Sequence, residues 1–180
     1  MSWKSIIVLL CFSAGGCGGG AGVVFEGDDL RVTSVGVGAA NVFVVDRNGK
    51  RLMIDAGNPG DEEQIEANMR AHGIEPSSID YLVLTHGHVD HGGTAAHFQK
   101  QHGVKVIGGR ADAAMMRRGG RDQVCPTSML ARAIRWVRGG MSYPSFELDV
   151  PLDGDFDLGE IGVAGLVRHW PGHTPGSLVV

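Results

Sequence analysis

The sequence is poor in aromatic residues and carries no excess of basic charge. Only 6% of its 180 residues are aromatic, so we expect its core to rely on Val, Ile, Leu, Met and Ala. With 43% hydrophobic residues, the chain is long enough to bury one core as a single domain. The formal net charge of −4 argues against a nucleic-acid partner held through its phosphates.

The sequence also lacks a hydrophobic run long enough to span a bilayer, which takes about 20 residues. Its first residues are instead typical of an export signal: Lys4, an apolar stretch over residues 6–12, and the small residues Ser13-Ala14-Gly15-Gly16 before Cys17. Small residues directly before a cysteine resemble a bacterial lipobox, which would leave Cys17 lipidated and anchor the protein in the membrane. Ordinary signal cleavage is the alternative. Either way, we expect export to the bacterial cell envelope or periplasm.

The rest of the chain alternates between strand and helix patterns. Asn48-Gly49 between apolar runs predicts a tight hairpin, and acidic residues before Ile65 and Met69 predict a helix that stops at Gly73. This alternation predicts an α+β fold with a mixed sheet and a layer of helices. Strands are predicted over residues 30–37, 41–46, 51–55, 79–84, 104–107 and 161–169, with short strands over 146–158 broken by Pro151 and Asp153-Gly154. Helices are predicted over residues 61–72, from Gly93 to about 102, over 111–118 and over 129–137.

Three imidazoles and one carboxylate lie close together directly after the apolar run 81–84: His86, His88, Asp90 and His91. Both groups bind zinc and similar divalent metals at neutral pH. In an extended loop, residues i and i+2 point the same way, so His86 and His88 can face one ion. Asp90 and His91 follow the turn and can face a second ion. A loop of solvated histidines is the alternative, but so dense a set at a strand end favours a metal site.

A further histidine, His173, lies between Pro171-Gly172 and Pro175-Gly176. Proline fixes φ and glycine permits positive φ, so this segment predicts a rigid turn that aims one side chain. An exposed turn histidine is the ordinary alternative, but His173 can also supply a third imidazole to the first ion. Asp55, at a strand end, can hydrogen-bond a ligand imidazole. His97 and His102 lie five residues apart on poorly matched faces of a predicted helix, so we assign them no metal role.

The motif His86-Gly87-His88-Val89-Asp90-His91 resembles the HxHxDH signature of the metallo-β-lactamase superfamily. The turn over residues 171–177 resembles the next metal-ligand turn of that family, and Asp55-Ala56-Gly57 is similar to its strand-end DxG element. The resemblance implies a four-layered αββα sandwich with the metals at one edge, between the two sheets. It implies that His86, His88 and His173 bind the first metal and that Asp90 and His91 help to bind the second.

The resemblance further implies a part of the domain that the sequence does not contain. The family continues beyond this turn and usually supplies a bridging Asp and a last His, whereas no His follows His173 and no Asp follows Asp157. We therefore expect a sandwich with its C-terminal part missing. Of the two zinc ions of a complete site, we expect one in this chain. The expected division is a signal peptide over residues 1–16, a flexible tether over 17–29 and a metallo-β-lactamase-like domain, incomplete, over 30–180.

The function that this resemblance implies is hydrolysis of a small-molecule carbonyl substrate by zinc-activated water, with Asp90 as the catalytic residue that orients the water. Esters, thioesters, lactones and β-lactams are the substrate classes. A β-lactamase is the first alternative, since export would place the enzyme where β-lactams act. A glyoxalase-II-like thioesterase follows it. The alternative of another class is an inactive metal-binding fragment or a non-enzymatic surface lipoprotein.

Overall fold

The computed structural model describes residues 21–121 and 141–180. The expected signal peptide, Cys17 and the helix predicted over residues 129–137 lie outside these ranges. Among the helices of the described residues, none has the length and apolar character needed to cross a membrane.

Two β-sheets and a set of short helices make up the described part of the chain. One sheet contains seven strands in chain order: β1 (Gly22–Glu26), β2 (Leu30–Ser34), β3 (Phe43–Arg47), β4 (Lys50–Ile54), β5 (Tyr81–Val83), β6 (Lys105–Gly109) and β7 (Val150–Leu152). The other has the order β10-β9-β8 and consists of β8 (Phe156–Asp157), β9 (Leu166–His169) and β10 (Leu178–Val179). The helices are α1 (Glu62–Ala71), α2 (Val89–Gly92), α3 (Ala95–His102) and α4 (Ala113–Arg117).

The large sheet is mixed, as predicted. Neighbouring strands from β1 to β4 run antiparallel, and those from β4 to β7 run parallel. The hairpin between β3 and β4 turns through Asn48 and Gly49, whose φ angles are 53° and 75°. Both angles are positive, as a two-residue turn that matches the right-handed twist of the strands requires. The predicted hairpin is therefore confirmed.

The core has two parts, one on each face of the large sheet. Met53 packs with Ile65 and Phe98 in a cluster that joins the sheet to α1 and α3. Leu52 and Ile54, its neighbours on β4, belong to the other cluster, which joins the large sheet to the small one. This alternation is the period of two that a strand buried on both faces must have. The resulting layers are helices, large sheet and small sheet, and they confirm the predicted α+β arrangement.

Two segments of the large sheet differ from the sequence prediction. The pattern does not predict β1, because residues 22–26 belong to the expected tether 17–29, yet they pair with β2. Pro151 was expected to break a strand but lies inside β7, where it is the register partner of Gly108. Among the described strands, β7 is at the edge of this sheet, so its proline leaves no ladder between described strands incomplete on the outer side.

Strand β9 is shorter than the predicted span over residues 161–169. The segment Leu158–Ile161 forms a 3-10 turn instead, which ends at Gly162 with φ +82°. The Asp157 side chain caps this turn by accepting a hydrogen bond from the Gly159 backbone N–H. A local cap and a glycine in the left-handed region thus delay the strand.

Asp80 connects β4 to the segment before β5, and its charge gives a pH-dependent test of this part of the fold. Its carboxylate accepts hydrogen bonds from Lys50 Nζ and from the Arg51 backbone N–H, each at 2.9 Å. Burial would raise the pKa of Asp80, but these hydrogen bonds and the charges of Lys50 and Arg51 outweigh it and lower the pKa. Because the folded-state pKa lies below the ordinary value, the stabilisation is present above about pH 4 and is lost as pH falls through the folded-state pKa.

Asp80→Asn is therefore expected to lower the free energy of unfolding by about 1 kcal/mol at pH 7. The difference from wild type should shrink below about pH 4. Urea unfolding at pH 7 and pH 2.5 measures both values. Asp153→Asn is the control, since Asp153 lies in an exposed ion pair with Arg110 and should change stability less at either pH. An Asp80→Asn effect of equal size at both pH values would contradict the argument.

Candidate metal centre

The segment that carries the first histidines leaves the large sheet at the end of β5. The Leu84 backbone N–H donates to the Ile107 carbonyl of β6, which keeps this segment in line with the sheet. At the next residue, the Thr85 carbonyl accepts a 2.7 Å hydrogen bond from the backbone N–H of Leu178 in β10. The loop is thus held between the carboxyl ends of the parallel strands and the small sheet.

Three of the predicted metal ligands converge at this place. One potential ligand atom from each of His86, His88 and His173 lies within 4.8 Å of the other two. The Nδ1 atom of His88 is 3.0 Å from Nε2 of His173, although the two residues are 85 positions apart in the chain. We call these residues the three-histidine cluster. It contains the three residues that the resemblance assigns to one ion.

The electrostatics of the cluster keep its most buried member neutral. Burial, together with the neighbouring imidazoles of His91, His88 and His173, lowers the pKa of His86 to about 2. Neutral imidazole is the form that binds a metal. Because Nδ1 of His86 lies 3.1 Å from Thr85 Oγ1, Nε2 is the ring nitrogen that His86 would present to an ion.

Asp55 supports the loop from the end of β4. Its Oδ1 accepts a 2.8 Å hydrogen bond from the Thr85 backbone N–H, and its Oδ2 lies 2.8 Å from His91 Nδ1. Burial would lower the pKa of His91, but this hydrogen bond and the Asp55 charge outweigh it and raise the pKa. The expected contact between Asp55 and a candidate ligand imidazole is confirmed. It requires φ +58° at Asp55, a conformation that aspartate tolerates better than most residues.

Asp90 and His91, the residues predicted for a second ion, are neighbours on α2. Asp90 Oδ2 lies 3.9 Å from His91 Nε2, and the His91 ring centroid is 4.0 Å from that of His86. The Asp90 side chain is 40% exposed, so its carboxylate can reach solvent. The structure thus places this pair beside the three-histidine cluster.

A buried carboxylate that the sequence does not single out joins the two loops of the cluster. The Asp112 side chain accepts hydrogen bonds from the Gly87 backbone N–H at 3.1 Å, from Thr174 Oγ1 at 2.7 Å and from the Gly176 backbone N–H at 2.9 Å. Asp112 is only 1% exposed. It therefore fixes the loop of His86 and His88 relative to the turn of His173. A single acid in a short 3-10 turn carries no motif that would have predicted this role.

Tyr143 supports the same loop from the other side. Its hydroxyl donates a 2.6 Å hydrogen bond to the Gly87 carbonyl. Burial, together with the charge of Asp112, raises the pKa of Tyr143 above its usual range, so the hydroxyl remains a donor. Both backbone polar groups of Gly87 are therefore bound by side chains from distant parts of the chain.

Close backbone contacts at glycine complete the site. A Cβ added at Gly93 would lie 2.2 Å from the Asn58 carbonyl carbon, so only glycine lets the end of α2 pack on the loop that follows β4. A Cβ at Gly109 would lie 2.1 Å from the Gly176 carbonyl oxygen, which brings the turn of His173 against β6 in the same way.

Comparison with known proteins agrees with this architecture. The sequence model described as "Metallo-beta-lactamase superfamily" matches residues 35–180. A hydroxyacylglutathione hydrolase of Anaeromyxobacter dehalogenans is 28% identical over 138 residues, which cover 77% of this chain and 40% of that protein.

Two solved structures show the same fold. The metallo-β-lactamase with a HARLDQ motif from Cronobacter sakazakii has a TM-score of 0.64 and 24% identity, over 82% of this chain and 52% of its own. A class B3 di-zinc metallo-β-lactamase from an Alaskan soil metagenome has a TM-score of 0.63 and 22% identity, over 82% of this chain and 52% of its own. The chain thus spans about half the length of these structures and 40% of the curated relative.

Proposed function

This chain belongs to the metallo-β-lactamase superfamily, and on that basis we propose that it is a metal-dependent hydrolase. The observation that carries the proposal is the convergence of His86, His88 and His173 from two distant loops onto one point. In the proposed site these three histidines bind the first zinc ion, and Asp90 and His91 help to bind a second.

The donor set of the three-histidine cluster fits zinc. Three imidazole nitrogens are a ligand set of catalytic zinc sites, which keep a fourth position for water or substrate. His86 is neutral, so it need not lose a proton before it binds. Bound zinc lowers the pKa of water to about 7 and polarises carbonyl groups, so hydrolysis needs no serine or cysteine nucleophile.

In the proposed site, Asp90 orients the attacking water and Asp55 holds a metal ligand in place. Asp90 is partly exposed beside His91, where its carboxylate would accept a hydrogen bond from the attacking water and so direct it toward a substrate carbonyl. Asp55 contacts the Nδ1 atom of His91. His91 would therefore bind the second ion through Nε2, the nitrogen on the side of Asp90. We thus propose Asp90 as the catalytic residue and Asp55 as the residue that positions His91.

We propose a small-molecule carbonyl compound as the substrate. Two classes of such compounds are favoured by the similarity of this chain to known proteins. A β-lactam is favoured by the solved metallo-β-lactamases of the same fold, and a glutathione thioester by the hydroxyacylglutathione hydrolase that is 28% identical. The net charge of −4 favours a small substrate over a nucleic acid.

The test combines zinc content with turnover. We expect the purified chain to bind at least one zinc ion by native mass spectrometry, and to hydrolyse nitrocefin or an S-acylglutathione thioester in a reaction that a chelator abolishes and added zinc restores. Ester and lactone substrates complete the panel. Zinc binding without turnover of any substrate at high protein concentration would overturn the hydrolase proposal and favour a non-catalytic metal-binding protein.

We further propose that the protein is exported and anchored to the bacterial cell envelope through a lipidated Cys17. The support is the positive, apolar and small-residue order that precedes Cys17 in the sequence. Metabolic labelling with palmitate tests it, since a chain that incorporates no lipid and is recovered from the cytoplasm would contradict both parts.

A further inference from the structure

A second group of metal-binding side chains lies between α1 and α3. Glu66 of α1 extends toward α3, where its Oε1 atom is 2.7 Å from His97 Nε2 and 2.8 Å from His102 Nε2. The potential ligand atoms of these three residues all lie within 4.8 Å of one another. None of them belongs to the three-histidine cluster or to the Asp90–His91 pair, so this group is independent of the proposed hydrolase site.

The two histidines reach one carboxylate in spite of their spacing. Positions five apart on an ideal α-helix point about 140° away from each other. His102, however, is the last residue of α3, and Gly103 follows it in the left-handed conformation with φ +71°. The His97 and His102 ring centroids lie 5.6 Å apart. The expectation that their faces are too poorly matched to meet is therefore wrong, because both imidazoles reach the same Glu66 oxygen, that of His102 from the end of α3.

The burial of this group suits an ion that enters from solvent. The side chains of Glu66 and His102 are 15% and 16% exposed, whereas that of His97 is 31% exposed. The first two are therefore held in place by their surroundings, and the third leaves a path to solvent. Polar ligands fixed in advance lose less conformational freedom when an ion binds.

The charge of the group also suits a cation. Glutamate is ordinarily an anion at neutral pH, and Glu66 Oε1 faces His97 and His102. Its other oxygen, Oε2, accepts a 2.8 Å hydrogen bond from Arg70 Nη2. This contact leaves Oε1 as the oxygen that faces both imidazoles.

We propose that Glu66, His97 and His102 form a second binding site for Zn²⁺, which joins α1 to α3. Two imidazoles and one glutamate are a known zinc ligand set, with a fourth position for water. At metal–ligand distances of about 2.0–2.2 Å, the donor atoms of a tetrahedral site lie about 3.3 Å apart. The distances of 2.7 and 2.8 Å from Glu66 Oε1 to the two Nε2 atoms therefore need to increase by only about 0.5 Å. Each neutral imidazole would carry its proton on Nδ1 and bind through Nε2.

The experiment counts zinc ions on the full chain. Metal-free protein is titrated with Zn²⁺ against a chromophoric chelator, for wild type and for the double variant His97→Gln/His102→Gln. Glutamine can still donate hydrogen bonds to Glu66, which preserves the contact between the helices. His72→Gln is the matched control, because His72 caps α1 through Nδ1 and the Asn68 carbonyl and lies in neither metal group.

We expect the double variant to bind one zinc ion fewer per chain than wild type and the His72→Gln control. The His86→Ala variant should retain the ion at Glu66, His97 and His102, so a failure of the three-histidine cluster to bind zinc is distinguishable from a failure of this site. Equal stoichiometry and affinity in wild type and the double variant would overturn the proposal and leave a hydrogen-bonded contact between helices.

A second variant covers the case in which the double variant does not fold. Glu66→Gln keeps the Oε1 acceptor for both imidazoles but removes the charge that a cation requires. We expect it to retain the circular dichroism spectrum of wild type and to lose at least about tenfold in zinc affinity at this site. Unchanged affinity in Glu66→Gln would equally overturn the proposal.

Discussion

Asp112→Ala is expected to lower the free energy of unfolding by about 3–5 kcal/mol, above the usual range of about 0.5–3 kcal/mol for single substitutions. The Asp112 carboxylate is 1% exposed and accepts hydrogen bonds from the Gly87 and Gly176 backbone N–H groups and from Thr174 Oγ1. Alanine would leave these buried donors without an acceptor, and each such loss costs about 1–3 kcal/mol.

The same substitution is expected to weaken zinc binding at the three-histidine cluster by about 10–100-fold, the usual effect of removing a group that orients metal ligands. Asp112 holds Gly87, between His86 and His88, against the turn of His173. Without it, the two loops that would meet at the proposed ion lose their common anchor. Asp112 is thus a positioning residue, which acts through residues next to the proposed ligands in the chain.

Urea unfolding measures the first effect, and chelator competition at a temperature where the variant remains folded measures the second. Thr174→Val removes only one of the three donors and should cost about 1 kcal/mol. Asp153→Ala, on the exposed ion pair with Arg110, is the control and should change zinc affinity little. A folded Asp112→Ala protein with wild-type zinc affinity would show that Asp112 serves stability alone.

His86→Ala is expected to reduce zinc affinity at the three-histidine cluster by at least about 100-fold, beyond the range for residues that only orient a ligand. His86 is the most buried member of the cluster, and its ring contacts those of His88, His91 and His173. Removing it takes away one of the three proposed ligands and the packing that orients the others. Any zinc-dependent hydrolysis should fall with it.

Isothermal titration calorimetry of metal-free protein measures this loss, and thermal unfolding with and without zinc gives an independent measure. Zinc should raise the melting temperature of wild type more than that of His86→Ala, because an ion that binds only the folded state stabilises it. His72→Ala is the control with an equal loss of one imidazole. Equal zinc affinity in His86→Ala and wild type would contradict the assignment of the cluster as the first metal site.

The local part of the site could be predicted because adjacent residues set its geometry. His86 and His88 are two residues apart in an extended segment directly after a buried strand. Side chains at this spacing point to the same side, so both can face one ion. The prolines and glycines that flank His173 likewise predicted a turn, but Gly172 and Gly176 are not among the described glycines with positive φ. The hairpin at Asn48-Gly49 follows the same rule, since positive φ at both residues suffices to reverse the chain.

The contacts that position these groups were decided by the tertiary structure. Asp112 reaches Gly87 and Gly176 across 25 and 64 residues, and Glu66 reaches His97 and His102 from another helix. Such contacts depend on how strands and helices pack, and sequence spacing within a single element carries no information about them. Ideal helical periodicity even led to the wrong expectation for His97 and His102. The sequence alone thus determined which side chains can bind a metal and the local turns that carry them. Packing decided which of them meet, because distant groups become neighbours only when the two sheets and the helices enclose a common core.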